Sequence, residues 1–551
     1  MEAPRHRQNL IEMAGPGMLY VTMQPQPGLS LDQFHEWYNN EHGPTRLRLP
    51  QIFTNGLRYK ATDGVEPTFL AVYDITSMSH LETPTYTSLR ENRSPREAQT
   101  IGQVDVKRSF LDLVSTKASD SFVPIEQLTD EEAEGTVLVA VELTLKDVAG
   151  AEEEVTKWNQ EEHIPMLSKV PGWLRTRLFQ TSSLEGGKRK LVSLHEYAKT
   201  NGLGGPEHKA SMSTAWREEV FSKCIDQKAR RTYSLFYVFG PGPRDLSSLS
   251  RLPDSAAFTS ADGINSTTPG SSPVITSAIA TGDGLTIPYR LEGNPSPSAP
   301  TIAFCNSLLT SLHMWDPFVA LLKAHRPQFR ILRYDFRGRH GIPSPPVPST
   351  LNILSDDIST LLSALRIQRL HALIGVSMGG ATTLKFALKF PEKLDRFVTC
   401  DFNVASSEAN TKAWKERIAV AESTSADGSP GIQTLARQTV ERWFHPHTMT
   451  EKKDTAEWIT QMVASNDVEG FRYGCPALWD YNMKEELKSC KVPGLLVVGD
   501  GDGKGALVKA MDGFKDKVGS QGTELKIVPL AGHLPMCESP RDFFDAVQEF
   551  L

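Results

Sequence analysis

The sequence lacks several features that would place it in a specialised class. Its six cysteines are scattered, with no C-x-x-C pair and no metal-ligand spacing, so we expect reduced, mostly buried thiols, no metal and a cytoplasmic location. No apolar run approaches the ~20 residues of a membrane span, and residues 1–9 lack the apolar core of a secretory signal. The 59 basic and 66 acidic residues leave a net charge of −7, which gives no reason to expect a nucleic-acid or membrane partner.

An internal repeat organises the first 240 residues. Residues 37–44 (WYNNEHGP) recur as residues 158–165 (WNQEEHIP), an offset of 121, and Pro50 and Pro171 keep the same offset. In each copy the hydrophobic pattern predicts the order β-α-β-β-α-β, which is typical of a ferredoxin-like fold. We therefore expect two such domains, at 1–120 and 121–241, whose sheets pack face to face as an α/β barrel.

The shared W-x-x-x-E-H-x-P signature resembles the EthD-like and related dimeric α/β-barrel families, some of which are small cyclases, dehydratases or degradation enzymes. Two interpretations of His42 and His163 stay open. As functional groups, they would line a barrel cavity as acid or base, because imidazole titrates near neutrality. As structural groups, which we favour, each would end a helix that the proline two residues later stops.

The remaining chain divides into a linker and one large domain. Residues 242–273 are rich in Ser, Pro, Gly and Thr, with little apolar content to bury, and we expect a flexible linker. Over 274–551 predicted strands and helices alternate, which indicates a mostly parallel sheet covered on both faces, with an inserted cap at about 404–485. Ligands of such sheets bind at the carboxyl ends of the strands, where the polar motifs fall.

The sequence 375–379 (GVSMG) follows an apolar run and precedes a predicted helix at 381–390. A G-x-S-x-G motif in this strand–turn–helix context is a nucleophile elbow, which exposes Ser377 at a strained turn. The backbone N–H groups of Met378, directly after the serine, and of Leu308, after an earlier strand, are the predicted oxyanion hole.

A serine hydroxyl needs a base, and that base needs an orienting carboxylate. His533 follows the last predicted strand and supplies the imidazole. Three carboxylates are candidates for the acid, in the order Asp502, Asp401 and Asp500. The chain order Ser…Asp…His is that of α/β-hydrolases.

Several motifs of 274–551 carry a second resemblance: FCNSL at 304–308 with MWDP at 314–317, RYD at 333–335, GVSMGG at 375–380, ERWF at 441–444 and AGH at 531–533. Together they resemble 3-oxoadipate enol-lactonases. The resemblance implies Ser377 as nucleophile, His533 as base and Asp502 as acid. It also implies a second group of residues that would contact substrate or stand beside the oxyanion hole: Asn306, Ser307, Leu309 and Trp443.

The sequence departs from this family at Leu309, where the resemblance leads us to expect glycine, and in the turn after Asp502. We therefore expect a different pocket and a substrate other than the enol-lactone of 3-oxoadipate. Our leading hypothesis is a serine hydrolase that opens a lactone or cleaves a small carboxylic ester in a metabolic or secondary-metabolite pathway, without a cofactor.

Two alternatives stay open. One is a polyketide-type tailoring enzyme (cyclase, dehydratase or isomerase) with its chemistry at His42 or His163. The other is a non-catalytic binding or assembly protein. A homo-oligomer is compatible with all three hypotheses.

Overall fold

The computed structural model describes residues 15–185, 189–255, 257–424 and 428–551. The chain forms two compact units, one up to Pro241 and one from Gly242 to Leu551. In the described residues, no helix combines the length and the apolar character needed to cross a bilayer.

The first unit contains a closed barrel, in which every neighbouring pair of strands is antiparallel. Its strands, within the described residues, are β1 Gly17–Pro25, β2 Leu57–Ala61, β3 Phe69–Ile75, β4 Val104–Ala118, β5 Val137–Leu145, β6 Trp173–Thr181, β7 Lys190–Tyr197 and β8 Ile225–Val238. Its helices are α1 Leu31–Trp37, α2 Gly43–Leu47, α3 Pro84–Glu91, α4 Pro95–Ile101, α5 Asp130–Ala133, α6 Ala151–Trp158, α7 Ile164–Leu167, α8 Pro206–Ala210 and α9 Ala215–Cys224.

The order of strands around the barrel follows the sequence repeat. The first four strands lie as β4-β1-β3-β2 and the last four as β8-β5-β7-β6, and the two halves join at β2–β8 and β4–β6. Alternate residues of a strand face opposite sides of the sheet. Leu138 and Ala140 of β5 accordingly pack in a cluster with strands of both halves, whereas Leu143 packs with helices α6 and α9.

The expectation that a proline stops each motif helix is wrong. Helix α1 continues through a π-helical turn, Tyr38–His42, into α2, and α6 continues through Asn159–His163 into α7. In the first of these two π-helical turns, the Gly43 N–H donates to the carbonyl of Tyr38, five residues earlier in the chain. Pro44, the second residue of α2, has no N–H to donate, and the helix nevertheless continues past it to Leu47.

The second unit is built on a ten-stranded sheet, counted over the described residues, in the order β18-β17-β16-β15-β13-β14-β12-β11-β10-β9. Its strands are β9 Phe258–Thr259, β10 Ser266–Thr268, β11 Val274–Ala280, β12 Thr286–Gly293, β13 Thr301–Cys305, β14 Arg330–Tyr334, β15 Ala372–Val376, β16 Phe397–Cys400, β17 Gly494–Gly499 and β18 Glu524–Val528. From β14 to β18 neighbouring strands are parallel, so their carboxyl ends share one edge.

Helices cover the sheet and form an insertion between β16 and β17. The covering helices are α10 Leu246–Ser250, α11 Asp316–His325, α12 Leu351–Ala364, α13 Met378–Lys389, α19 Ala506–Lys515, α20 Pro535–Glu538 and α21 Pro540–Val547. The insertion, which we call the cap, contains α14 Glu408–Glu422, α15 Gly431–Trp443, α16 Pro446–Glu451, α17 Lys453–Ala464 and α18 Val468–Gly474. A bridge between Ala405 and Asn482 joins its two ends.

Part of the stretch expected to be a flexible linker, 242–273, has regular structure. It forms α10, β9 and β10, and β10 pairs with β11 of the main sheet. Two leucines anchor the segment, since Leu246 and Leu249 are each 1% exposed in the core of the second unit. The polar composition of the segment as a whole conceals these two leucines, which lie three residues apart on one helix.

Candidate active site

Ser377 occupies the turn between β15 and α13. Its backbone has φ 59° and ψ −120°, a region that residues with a side chain rarely adopt. Glycines on either side permit the turn: a Cβ on Gly375 would lie 2.2 Å from the carbonyl oxygen of Gly379, and one on Gly379 would lie 2.2 Å from that of Cys305. The strand–turn–helix geometry is that of a nucleophile elbow.

His533 and Asp502 are joined at the same edge of the sheet. His533 Nδ1 and Asp502 Oδ2 are 2.7 Å apart, and both side chains are largely buried. Asp502 follows β17 and His533 follows β18, while β16 separates β17 from the strand that carries Ser377. Among the described residues, the Ser377 hydroxyl makes no hydrogen bond to His533. The structure therefore pairs Asp502 with His533 but not His533 with Ser377. In enzymes of this kind the hydrogen bond between base and serine often forms only when substrate is bound.

The other two acid candidates do not contact His533. Asp401, at the end of β16, accepts the N–H of Gly499 at 2.9 Å, and Asp500 accepts that of Ala531 at 3.3 Å. Burial, and then the neighbouring charge of Asp502, raise the pKa of Asp401 well above its usual value. Asp401 therefore lies close enough to Asp502 for the two carboxyl groups to influence each other, although Asp502 is the one that pairs with the imidazole.

The predicted oxyanion donors lie at two adjoining loops. Met378 is the first residue of α13, and the first N–H groups of a helix have no acceptor within it. The loop after β13, which carries Leu308, abuts this helix start, since a Cβ on Gly379 would touch the carbonyls of Cys305 and Asn306. An acyl oxygen between the two loops would be near both predicted donors.

The predicted substrate-contacting residues of the β13 loop differ in what they do. The Asn306 amide is engaged within the protein: it donates to the Tyr334 carbonyl at 2.9 Å and accepts from the Trp315 indole at 2.9 Å. The Ser307 hydroxyl is buried and has no hydrogen-bond partner in the part of the chain that the structure describes. Leu309 adopts φ 72°, a conformation that favours glycine, and its carbonyl accepts a hydrogen bond from the Asn466 amide of the cap at 2.7 Å.

Trp443, at the end of cap helix α15, lies directly on the imidazole. The two ring centres are 5.2 Å apart, with the planes inclined at 31°. The backbone carbonyl of Trp443 also accepts a hydrogen bond from the backbone N–H of His533, at 2.7 Å. Trp443 therefore connects the cap to the base, whatever its contact with a substrate.

Comparison with known proteins fits this geometry. A family model for the alpha/beta hydrolase fold matches residues 300–540. The 3-oxoadipate enol-lactonase 1 of Acinetobacter baylyi is 32% identical over 270 residues, which are 49% of this chain and 94% of that protein. The chain belongs to the α/β-hydrolase family.

Two further relatives of this hydrolase carry similar names. The 3-oxoadipate enol-lactonase 2 of A. baylyi is 28% identical over 250 residues, 45% of this chain and 87% of that protein. The crystal structure of the enol-lactonase from Burkholderia xenovorans LB400 is 28% identical, covers 48% of this chain and 96% of that chain, and has a TM-score of 0.42. The prediction of an α/β-hydrolase is confirmed, whereas the EthD-like resemblance of the first unit stays a prediction.

Sequence reasoning missed Glu538, a fully buried carboxylate of the hydrolase unit. One of its oxygens accepts the Gly532 N–H, and the other accepts the His445 N–H, both at 2.8 Å, while the Thr448 hydroxyl donates at 2.9 Å. Glu538 thus ties the loop of His533 to the start of cap helix α16. The available signal was an acidic residue directly after the apolar residues 534–537, five positions beyond the predicted base.

The two motif histidines have different surroundings. His42 Nδ1 lies 2.6 Å from Glu97 Oε1, whereas the buried His163 has no acidic partner among the described residues. His163 lines a cleft between the outer face of the sheet and the helices. The functional interpretation, in which this histidine would line a cavity inside the barrel, is therefore wrong about its position. Among the described residues, no group of three or more His, Cys, Asp or Glu side chains is arranged to hold a metal ion.

Proposed function

We propose that this α/β-hydrolase opens a lactone or cleaves a small carboxylic ester through an acyl-enzyme on Ser377. The 2.7 Å contact between His533 and Asp502, at the sheet edge that also carries the elbow, is the observation that supports the proposal most strongly. The relatives named as enol-lactonases support the substrate class. The physiological partner is then a small lactone or ester.

The proposed reaction has two steps. Ser377 Oγ attacks the acyl carbon while His533 takes its proton, and Asp502 stabilises the resulting imidazolium. The N–H groups of Met378 and Leu308 stabilise the oxyanion. His533 returns the proton to the leaving alkoxide or enolate, and a water molecule, activated by the same imidazole, then releases the acid and restores the serine.

The test uses a fluorophosphonate probe together with a panel of enol-lactones, aryl esters and larger lactones. We expect the intact chain to be labelled and to hydrolyse at least one panel member, and we expect Ser377→Ala to abolish both. Asp502→Asn should lower kcat by about 10⁴-fold, whereas Asp500→Asn, the matched control, should leave it within a few-fold. Labelling that persists in Ser377→Ala, or equal losses in the two aspartate variants, would contradict the assignment.

A second function is proposed for the first unit. The shared strand order of its halves and the constant offset of 121 residues support two EthD-like, ferredoxin-like repeats. The buried imidazole of His163, which has no acidic partner among the described residues, favours chemistry or binding in the second repeat. A pathway activity that survives Ser377→Ala but is lost in His163→Ala would assign a cyclisation, dehydration or isomerisation to that repeat.

A further inference from the structure

The loop after β13 contains a tight turn over residues 307–310. The N–H of Thr310 donates to the Ser307 carbonyl at 3.2 Å, and the Thr310 hydroxyl donates to the same carbonyl at 2.7 Å. Leu309, the third residue of the turn, has φ 72°, whereas the φ of Leu308 is not positive. A hydrogen-bonded turn with a positive φ at its third residue alone is of type II, which normally has glycine or asparagine there. Here a leucine occupies that position.

This turn carries a predicted oxyanion donor, since Leu308 is its second residue. A turn of type I joins the same first and last residues, but the ψ of its second residue is about −30° instead of about +120°. That difference turns over the peptide between the two central residues. Type I requires a φ of about −90° at the third residue, which leucine adopts readily. Backbone preference alone therefore favours type I, and contacts from outside the turn must stabilise type II.

The cap supplies a direct contact of this kind. The amide of Asn466, which follows α17, donates to the Leu309 carbonyl at 2.7 Å. The guanidinium of Arg339, in the loop after β14, donates to the same carbonyl at 3.3 Å. That carbonyl belongs to the peptide between Leu309 and Thr310, so the orientation of this peptide is fixed from outside the turn.

The end of α17 holds both donor side chains in place. The last carbonyls of a helix have no partner within its own hydrogen-bond ladder. At this helix end the Val463 carbonyl accepts from the Asn466 amide at 2.8 Å, and the Met462 carbonyl accepts from Arg339 at 3.3 Å. Arg339 also donates to the Ser465 hydroxyl at 2.8 Å, and its positive charge is favourable at the negative end of a helix. The two donors therefore join the helix end to the turn.

Other contacts hold the loop on either side of the turn. Asp335, directly after β14, accepts hydrogen bonds from the Leu312 N–H and, at 3.1 Å, from the Asn306 amide. The Leu308 side chain packs against the end of α18, where a Cβ on Gly474 would lie 2.9 Å from its Cδ1 atom. Because the two ends of the loop are fixed in this way, the form of the turn between them is what the cap contact can control.

We propose that Asn466 is a positioning residue for the oxyanion hole. Through the Leu309 carbonyl it holds the turn in the type II form, and that form keeps the Leu308 N–H where the developing oxyanion needs it. Without this contact the turn relaxes towards type I and the donor moves. Asn466 acts through the loop rather than on the substrate. The inference rests on the proposed acyl-enzyme at Ser377, and it makes the end of α17 part of the machinery for acylation.

The experiment is a double-mutant cycle between Leu309 and Asn466 in the full chain. It measures the second-order rate of labelling by a fluorophosphonate, normalised to the folded fraction. We expect Asn466→Ala to label about 10- to 10²-fold more slowly than the wild type. In a Leu309→Gly background the same change should alter the rate by less than about threefold, because glycine adopts a positive φ without the cap contact. Leu309→Asn gives a second background, since asparagine also tolerates a positive φ.

Asn410→Ala is the matched control. This asparagine of the cap also donates its amide to a backbone carbonyl, that of Leu478 at 3.3 Å, but the contact lies within the cap, so the rate should not change. A folded Asn466→Ala protein that labels as fast as the wild type would overturn the inference and leave the proposed function intact. Equal slowing in the leucine and glycine backgrounds would also overturn it, because the effect would then not pass through the turn. A wild type that is not labelled would remove the proposed function and the inference together.

Discussion

The close approach at Gly379 allows a prediction that tests the proposed oxyanion hole without touching the triad. A Cβ at this position would lie 2.2 Å from the Cys305 carbonyl oxygen and 2.5 Å from that of Asn306. Carbon–oxygen contacts begin at about 3.3 Å, so Gly379→Ala requires the helix start and the β13 loop to separate by about 1 Å. Both obstacles are backbone atoms, which cannot swing aside as a flexible side chain can.

The expected losses follow from this displacement. Overpacking of this kind costs about 1–3 kcal/mol of stability. The shift separates the Met378 N–H from the loop of Leu308, and the loss of one oxyanion donor costs about 10²–10³-fold in rate. We therefore expect Gly379→Ala to remain folded but to react with a fluorophosphonate, and with any ester that the wild type hydrolyses, 10²- to 10³-fold more slowly.

The assay compares second-order labelling rates, normalised to the folded fraction from urea unfolding. Gly513→Ala is the matched control: Gly513 lies in α19, and a Cβ there would meet nothing within 4 Å. That substitution should raise stability by about 0.5–1 kcal/mol and leave the rate unchanged. A folded Gly379→Ala protein that labels within threefold of wild type would refute the placement of the oxyanion hole.

Two further predictions concern groups around the site. Burial raises the pKa of Glu538 from the usual 4.5 to about 7, although several hydrogen-bond donors favour its carboxylate form. The folded state therefore binds the proton more tightly than the unfolded state does. As a result, the stability of the protein falls as the pH rises from about 4.5 to 7. Glu538→Gln should flatten that fall in the thermal midpoint, and an unchanged pH slope would contradict the assignment. Leu309→Gly should lower stability, because Leu309 is 3% exposed in the core and losing such a side chain costs about 2–5 kcal/mol, more than the ~1 kcal/mol of strain relieved at φ 72°. A urea midpoint at or above that of wild type would contradict this ranking of the two effects.

Strands with a clear apolar pattern were predictable, and polar ones were not. The apolar and β-branched residues of 173–181 and of 190–197 predict half-buried strands over those spans, and β6 and β7 have the same bounds. For the last strand of the repeat the same pattern predicts only 233–239, whereas β8 begins at Ile225. Its first part is polar and solvent-exposed, and pairing with β5, a tertiary contact, makes it a strand.

The residues of the candidate site also differ in whether local sequence can predict them. Ser377 and His533 stand in local motifs that carry their own geometry, so local sequence is enough to propose them. The choice among Asp502, Asp401 and Asp500 depends on which carboxylate reaches one imidazole nitrogen, a distance set by three different strand ends. Local sequence does not encode such distances.

The two copies of the motif share some side-chain contacts and differ in others. Both repeats keep a hydroxyl that caps the next helix and donates to the motif glutamate: Ser94 to Glu41 at 2.7 Å, and Thr214 to Glu162 at 2.6 Å. Because this contact persists despite the change of residue, it is a requirement of the fold in each half. Both imidazoles also pack on the motif tryptophan, His42 on Trp37 at 4.9 Å and His163 on Trp158 at 4.5 Å between ring centres. Only the first copy pairs its imidazole with an acid among the described residues. Packing on the tryptophan is therefore common to the two copies, whereas the acid partner is a difference between them, and that difference is where a function of the first unit should be sought.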